Sequence, residues 1–418
     1  MYDMGELTVI GYSGAELSAE ARDVLKTATL VVGGARHLAA VPIPDGARKI
    51  QLGALEPALN ALGRHEGHAV VVASGDPGFF GVVRRLRAGG LEVDRVIPAV
   101  SSVAAAFAAV RMDWDDAAVV SAHGGESNVR RTLRRAVNAC LAHPKVAVLT
   151  GPRATPRDLA KALLAAGLKP NDRVIWVAER LGTDEERVQS FDLAEAARAR
   201  IEEPNVVLCL ASVPVRDSPG WLAGARSGGV TAGEQPGAAL PDEAFEHRDG
   251  QITKQETRGL VVAQLWPKFG DLIWDLGAGS GAVGIECARR GAAVLAVEQD
   301  PESCERIRRN TAKHGSAGLY ICTGDAADLA TRLPDPDAVF IGGGGIDVLR
   351  MVLDRRPPRI VATFAALERA SAVLPMLASH GYAADGMLHQ ASRFAALPDG
   401  THRLAAQNPV FIVWGVLL

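Results

Sequence analysis

IWDLGAGSGAVGIECARRGAAVLAVEQD, residues 273–300, decides how the second half of this chain folds. An apolar run closes on Asp275 and Leu276. Glycines follow at 277, 279 and 281, then an Ala/Ile/Cys-rich run with helical spacing, then a second apolar run ending at Glu298. Strand, glycine turn, helix, strand and acid is the layout of a nucleotide-binding βαβ unit. The glycines permit a tight turn, let the backbone approach a ligand, and aim helix N–H groups at it. Gly277, Gly279 and Ala282 also satisfy the loose dinucleotide pattern, so NAD remains an alternative occupant. Two features favour another ligand. Asp275 lies two residues before the first glycine, where an anion does nothing for a phosphate but suits a cation. The third glycine comes early, giving G-x-G-x-G. Glu298, 23 residues after Asp275, can accept from ribose hydroxyls.

The chain has 418 residues, which at roughly 150 per domain predicts two or three domains. With 48% hydrophobic and 22% charged residues it can bury sizeable cores. A net charge of −3 without blocks of like charge argues against nucleic acid as a partner. The five cysteines are scattered and read as free thiols of a reducing cytosol, not as a disulfide frame or zinc site. The first residues, MYDMGELTVIGYSG, are acidic where a secretory leader is basic. No run reaches ~18 apolar residues, so neither export nor a membrane partner is expected, and the location predicted is cytoplasmic.

Apolar β-like runs alternate with helical runs from the start: 8–11, 30–34, 69–75, 93–99, 117–124, 145–151, 172–179 and 205–211 read as strands. Residues 214–241 are rich in Gly, Pro and Ser and aperiodic, and read as a linker, with Trp221 a possible anchor. Alternation resumes with strands expected at 272–277, 292–298, 319–324, 338–343, 359–364, around 386–395 and at 409–415. The expectation is two α/β domains, 1–213 and 242–418.

The 273–300 stretch resembles motif I of class I S-adenosylmethionine methyltransferases, a Rossmann-like, doubly wound fold. The resemblance implies that Asp275, Gly277, Ala278, Gly279, Ser280 and Gly281 hold the cofactor, that Glu298 takes the ribose, and that Gly324, Asp325 and Ala326 flank the adenine. Asp325 reads equally as a helix N-cap. The fourth strand runs into IGGGG, 341–345, where amino-methylating nucleic-acid enzymes carry Asn/Asp-Pro-Pro-aromatic. Gly343 and Gly344 are therefore expected to leave an open bay for a large flat substrate. PDEAFEHRDGQITKQETR, 241–258, resembles the entry segment of decarboxylating corrin-biosynthesis methyltransferases and implies that Thr253 meets the cofactor. Thr253 with Glu256 also reads as a capping box.

In the first half, ASGDPGFFG (73–81), IPAVSSVAAAFA (97–108) and LTGPRATP (149–156) each follow a strand. GDP with an aromatic, then P-x-x-S-S, resembles the class III tetrapyrrole methylases, a two-lobed fold that also takes S-adenosylmethionine. That implies cofactor contacts at Gly75, Asp76, Ser101 and Ser102, with Thr150 and Gly182 in support. Asp76-Pro77-Gly78 reads alternatively as a turn, and Ser101 and Ser102 as an N-cap pair. The first loop, VIGYSGAELS, is short for that family. VVGGARHL (31–38) matches its late-precorrin subgroup, with His37 either packed or a substrate contact.

Taken together, the chain resembles the bifunctional precorrin-6Y methyltransferases (decarboxylating) along nearly its whole length. The resemblance implies methylation of carbons 5 and 15 of precorrin-6Y in cobalamin biosynthesis, with loss of the ring C acetate carboxyl. The first domain would serve carbon 5 and the second carbon 15 and decarboxylation. It also implies a homo-oligomer. Arg258, Arg393 and Arg403, with His402, are candidate clamps for substrate carboxylates. No metal is expected; His65 and His68 read as a solvated loop. The rival readings are an NAD(P)-dependent precorrin reductase, a methyltransferase active only in its second domain, and a cofactor-binding sensor.

Overall fold

The computed structural model describes residues 5–53, 55–123, 129–212, 239–248, 250–316, 318–343 and 345–418. Most of the expected linker, Trp221 included, and Gly344 lie outside them.

The first lobe runs β1 (Leu7–Tyr12), α1 (Ala19–Lys26), β2 (Leu30–Gly33), α2 (Ala35–Ala40), β3 (Arg48–Gln51), α3 (Leu55–Leu62), β4 (Ala69–Ser74), α4 (Val82–Ala88) and β5 (Arg95–Ile97). Its sheet has the order β3-β2-β4-β1-β5 and is parallel throughout. β1, β2 and β4 are largely apolar and buried on both faces, as a parallel sheet between helices demands. His65 and His68 are not a free loop: His65 bonds Thr29, and His68 bonds both Thr8 and Thr27, closing the base of the sheet.

Helix α5 (Ser102–Ala109) leads to the second lobe: β6 (Ala118–Ser121), α6 (Val129–Ala142), β7 (Lys145–Leu149), α7 (Pro156–Ala165), β8 (Arg173–Glu179), β9 (Arg187–Phe191), α8 (Leu193–Ala196) and β10 (Asn205–Ala211). Its order is β6-β7-β10-β8-β9, with β10 antiparallel to both neighbours. A capping box of Thr155 and Asp158 starts α7. β3 (RKIQ) and β9 (RVQSF) escaped the sequence reading. Both are largely exposed edge strands without an apolar run.

The third unit comprises α9 (Gln255–Leu265), β11 (Leu272–Leu276), α10 (Ala282–Arg289), β12 (Ala293–Glu298), α11 (Pro301–Lys313), β13 (Leu319–Thr323), α12 (Ala326–Ala330), β14 (Ala338–Ile341), α13 (Gly345–Asp354), β15 (Arg359–Phe364), α14 (Leu367–Ser379), β16 (Tyr382–His389), β17 (Ser392–Ala396), β18 (His402–Ala406) and β19 (Val410–Leu417). The sheet order is β13-β12-β11-β14-β15-β19-β16, antiparallel only at β19. The order reverses between β11 and β14, which opens a crevice at their carboxyl ends. The single strand expected around 386–395 is two: β16 joins the sheet, while β17 pairs with β18 as a separate hairpin. Ala239 and Leu240, at the end of the expected linker, are already buried in this unit.

The second lobe and the third unit share one apolar core. Ala136, Cys140 and Leu141 of α6 belong to the same buried cluster as Leu272, Trp274 and Leu295. Polar groups seal the seam. Asp337 accepts from Arg134, from Asn138 Nδ2 (3.4 Å) and from the Leu272 N–H (2.9 Å). Tyr320 O–H donates to the Leu141 carbonyl (2.8 Å) and accepts from buried Arg173 (3.0 Å). No helix among the described residues is long and apolar enough to cross a membrane.

Asp337→Ala should lower unfolding free energy by about 2–3 kcal/mol, because it strands a buried N–H and two side-chain donors together. Urea titration of the full chain checks this, and a variant as stable as the parent would refute the shared seam.

Candidate cofactor and substrate sites

The second domain's crevice is built from glycine contacts. Gly277, Gly279 and Gly281 have φ of 71°, 56° and 74°, backbone that side-chain-bearing residues rarely adopt. A Cβ at 277 would stand 2.8 Å from the Gly343 backbone, and one at 281 would stand 3.0 Å from Ile307. At 279 it would meet nothing within 4 Å, so that glycine faces the open space a ligand would use. The turn hangs on β12 through Gly277 and Ala278 N–H bonds to the Val297 carbonyl.

Glu298 ties this turn to the next. Its carboxylate accepts from the N–H groups of Gly279 (2.9 Å), Gln299 (2.9 Å) and Asp300 (3.0 Å), and stays half-buried with lone pairs left for a ligand. Its carbonyl takes the Gly324 N–H. Asp325 caps α12 by accepting from Ala327 (2.8 Å) and Asp328 (3.2 Å), and Ala326 begins that helix. Ser280 is buried, and its carbonyl accepts from Asn310, whose side chain also fastens Glu246. Asn310 carries no motif and was invisible in the sequence.

Asp275 sits beneath the turn, 1% exposed, rather than on the crevice wall. One oxygen accepts from the Gly284 N–H (2.9 Å), and the other has no partner. Burial first, and then the Glu298 charge, push its pKa up to about 7 against the Gly284 bond. An orphaned buried carboxylate oxygen below a glycine cradle fits a cationic ligand above it.

Several expectations change. Arg258 is wholly buried and cannot meet a substrate. It donates to Asp242 (3.3 Å) and to the Thr253 and Leu240 carbonyls, lies 3.7 Å from Glu286, and stacks 4.7 Å from the Phe245 ring. It pins the entry segment, including Thr253, to the domain. The Thr253–Glu256 capping box does not form: Lys254 is the N-cap of α9, without a side-chain bond. Glu256 instead accepts from Nε and Nη2 of Arg393 (2.6 and 3.0 Å), which clips β17 to α9. Arg393 is thus occupied as well. Arg403 stands exposed on β18, beside His402, whose ring meets Phe394 edge-on. Gly342 and Gly343 do not form an open bay. Both N–H groups point to the Leu276 carbonyl, and Gly343 presses on Gly277.

In the first domain, the loops after β1, β4 and β5 converge. A Cβ on Gly11 would lie 2.2 Å from the Gly75 carbonyl and 2.6 Å from the Ala99 nitrogen, and one on Gly75 3.3 Å from the Ser102 nitrogen. Gly75 (φ 59°), Asp76, Ser101 and Ser102 are therefore neighbours. Asp76 closes a local turn by accepting from the Gly78 N–H (2.8 Å), and Ser101 is the N-cap of α5. These structural roles occupy one atom each. The two lobes touch where Gly14 meets the Gly182 carbonyl. Thr150 is committed to Asn205, which leaves it inside the second lobe.

A doubly wound sheet with a glycine turn and acid, behind a two-lobed α/β pair with its own convergent loops, defines a tandem of methyltransferase domains. A tetrapyrrole (corrin/porphyrin) methylase family model matches residues 10–197, and a precorrin methyltransferase domain model matches residues 243–416. A precorrin-6Y C(5,15)-methyltransferase [decarboxylating] of Sinorhizobium sp is 38% identical over 352 residues, 81% of this chain and 78% of the relative. A probable cobalt-precorrin-6B C(15)-methyltransferase (decarboxylating) of Methanocaldococcus jannaschii is 32% identical over 180 residues, 42% of this chain and 97% of its own. A cobalt-precorrin-7 C(5)-methyltransferase of Salmonella typhimurium is 34% identical over 208 residues, 48% of this chain and 98% of its own. The chain belongs to the precorrin-6Y C(5,15)-methyltransferase (decarboxylating) family.

The Asp275 carboxyl titrates near 7 when folded and near 3.8 when unfolded, so the folded state holds the extra proton between those values. Its contribution to stability is full below the lower value and is lost as pH rises through the upper one. Unfolding free energy of the ligand-free parent should therefore fall relative to Asp275→Asn across that window. S-Adenosylmethionine, by favouring the ionised form, should reduce the difference. Parallel pH profiles of the two proteins would sink this.

Proposed function

We propose that the chain methylates precorrin-6Y at carbons 15 and 5 and removes carbon dioxide from the ring C acetate, as a step of cobalamin biosynthesis. The second domain takes carbon 15 and the decarboxylation, and the first takes carbon 5. What supports the reading is two sets of loops, each gathered at strand carboxyl ends of its own sheet: Gly11, Gly75 and Ser102 in the first domain, Gly277 and Gly343 in the second. The single-activity relatives support the division: each matches less than half of this chain but nearly all of itself. Their names put the carbon-15 reaction on a precorrin-6 and the carbon-5 reaction on a precorrin-7, the order we propose here.

Gly277, Gly279 and Glu298 would hold the cofactor in the second domain, and Gly75, Asp76, Ser101 and Ser102 in the first. S-Adenosylmethionine supplies an electrophilic methyl group, and the conjugated tetrapyrrole supplies both a carbon nucleophile and an electron sink. The protein's task is therefore alignment and exclusion of water, for which proximity alone can contribute ~7–11 kcal/mol. Arg258 and Arg393 serve that task indirectly, by fixing the entry segment to the domain and the β17–β18 hairpin to α9. Exposed Phe394 and Leu404 on the hairpin provide apolar surface for the homo-oligomer in this reading. Free cysteine thiols suit the proposed cytoplasmic location.

Two full-chain variants test the assignment with methyl-labelled S-adenosylmethionine and precorrin-6Y. Gly277→Val, which drives side-chain atoms into the Gly343 backbone, should cut carbon dioxide release about 100-fold. Gly75→Val should keep carbon dioxide release and stop after one methyl group. Carbon dioxide release surviving in Gly277→Val would show that the second domain does not decarboxylate.

A further inference from the structure

The first domain holds an arginine that faces no acid among the described residues. Arg36 opens α2 at the carboxyl end of β2, beside Ser74, the last residue of β4 and the one preceding Gly75-Asp76. Its Nη2 donates to Ser74 Oγ (2.5 Å), and its Nε donates to His37 Nε2 (3.3 Å). Ser74 Oγ lies 3.1 Å from the same nitrogen. An arginine can only donate, so His37 Nε2 must be the bare, accepting nitrogen, and the ring proton sits on Nδ1. Nδ1 is buried and makes no hydrogen bond of normal geometry, with the Val72 carbonyl the acceptor near the ring. Tyr12 packs edge-on against the imidazole, ring centroids 6.1 Å apart. Burial and then the Arg36 charge push the His37 pKa down to about 4, against the Val72 carbonyl, so the ring is neutral near pH 7 and remains an acceptor.

This arrangement orients a cation without neutralising it. Burial lowers the Arg36 pKa, and no carboxylate pairs with it among the described residues. Arg359 and Arg393, by contrast, each have a carboxylate, Asp271 and Glu256. Two neutral acceptors hold Arg36 by one edge and leave Nη1 without a partner among the described residues. On the loop beyond Asp76, Phe79 and Phe80 stand 37% and 45% exposed and pack edge-to-face, an apolar surface of the kind a flat ring covers.

We propose that Arg36 binds a carboxylate side chain of the tetrapyrrole in the first domain, with His37 and Ser74 as positioning residues. This rests on the carbon-5 assignment above. A guanidinium already fixed along one edge gives up little further freedom when it meets a carboxylate, which favours binding over a freely rotating surface arginine.

The test uses the full chain, the decarboxylated carbon-15-methylated tetrapyrrole and methyl-labelled S-adenosylmethionine. Arg36→Met should raise KM for the tetrapyrrole at least about 10-fold with kcat within about two-fold. Arg36→Lys should recover only part, since an ammonium cannot copy the two-acceptor geometry. His37→Phe should raise KM as well, and His37→Gln, whose carbonyl can accept from Arg36 Nε, should restore much of it. If His37→Phe fails to fold, the Arg36 pair still decides, because that residue is exposed. A KM in Arg36→Met equal to the parent's overturns the assignment of Arg36 alone. A parent that transfers no methyl group to carbon 5 overturns the carbon-5 reading itself, and this inference with it.

Discussion

Backbone packed directly on backbone at Gly277 is the constraint the second domain is built around. The turn after β11 and the turn after β14 lie on either side of the point where strand order reverses, and Gly277 and Gly343 bring them within van der Waals contact. Any side chain there would wedge the two central strands apart at their carboxyl ends. The same closeness explains why Gly284 must lack a Cβ, which would stand 2.8 Å from an oxygen of Asp275. The buried carboxylate, the helix N-terminus and the acid of the neighbouring strand are held in one register by these contacts. A ligand crevice follows from that register rather than from any single residue.

The second dependence is the seam between the second lobe and the third unit. Helix α6 belongs by sequence to the first domain but contributes to a core that includes β11, β12 and β14. Asp337 and Tyr320 finish the seam by satisfying groups from both sides. The shared core joins the second lobe to the third unit, while the first lobe keeps clusters of its own. An apolar seam with a satisfied polar rim is stable where a purely polar contact between domains would compete with water.

The arginines show where reading along the chain loses its grip. Arg258, Arg393 and Arg403 looked equivalent as candidate carboxylate clamps, yet only Arg403 is left exposed. Arg258 has no solvent contact and is divided among Asp242, Glu286 and two carbonyls, while Arg393 is spent on Glu256. Glu256 in turn was expected to cap its own helix, and Arg393, far away in sequence, took it instead. A charged group's partner is set by what the fold brings near it, and a bidentate arginine outcompetes a weak local cap. Arg36 is the converse, a residue of no special promise in sequence that the fold leaves oriented and without a carboxylate among the described residues.

By itself the sequence determined the two α/β units, the glycine turn with its acids, the paired serines after β5 and the family to which these belong. Those features are local: strand and helix periodicities, and glycines whose φ only glycine tolerates, are written within a few neighbouring residues. Tertiary structure alone decided the polar edge strands β3 and β9, the β17–β18 hairpin, the α6 seam, the close packing of Gly343 on Gly277, and the partners of Arg258 and Arg393. Each of these depends on distance between residues remote in the chain, and burial and Coulomb energy respond to that distance, not to spacing along the sequence.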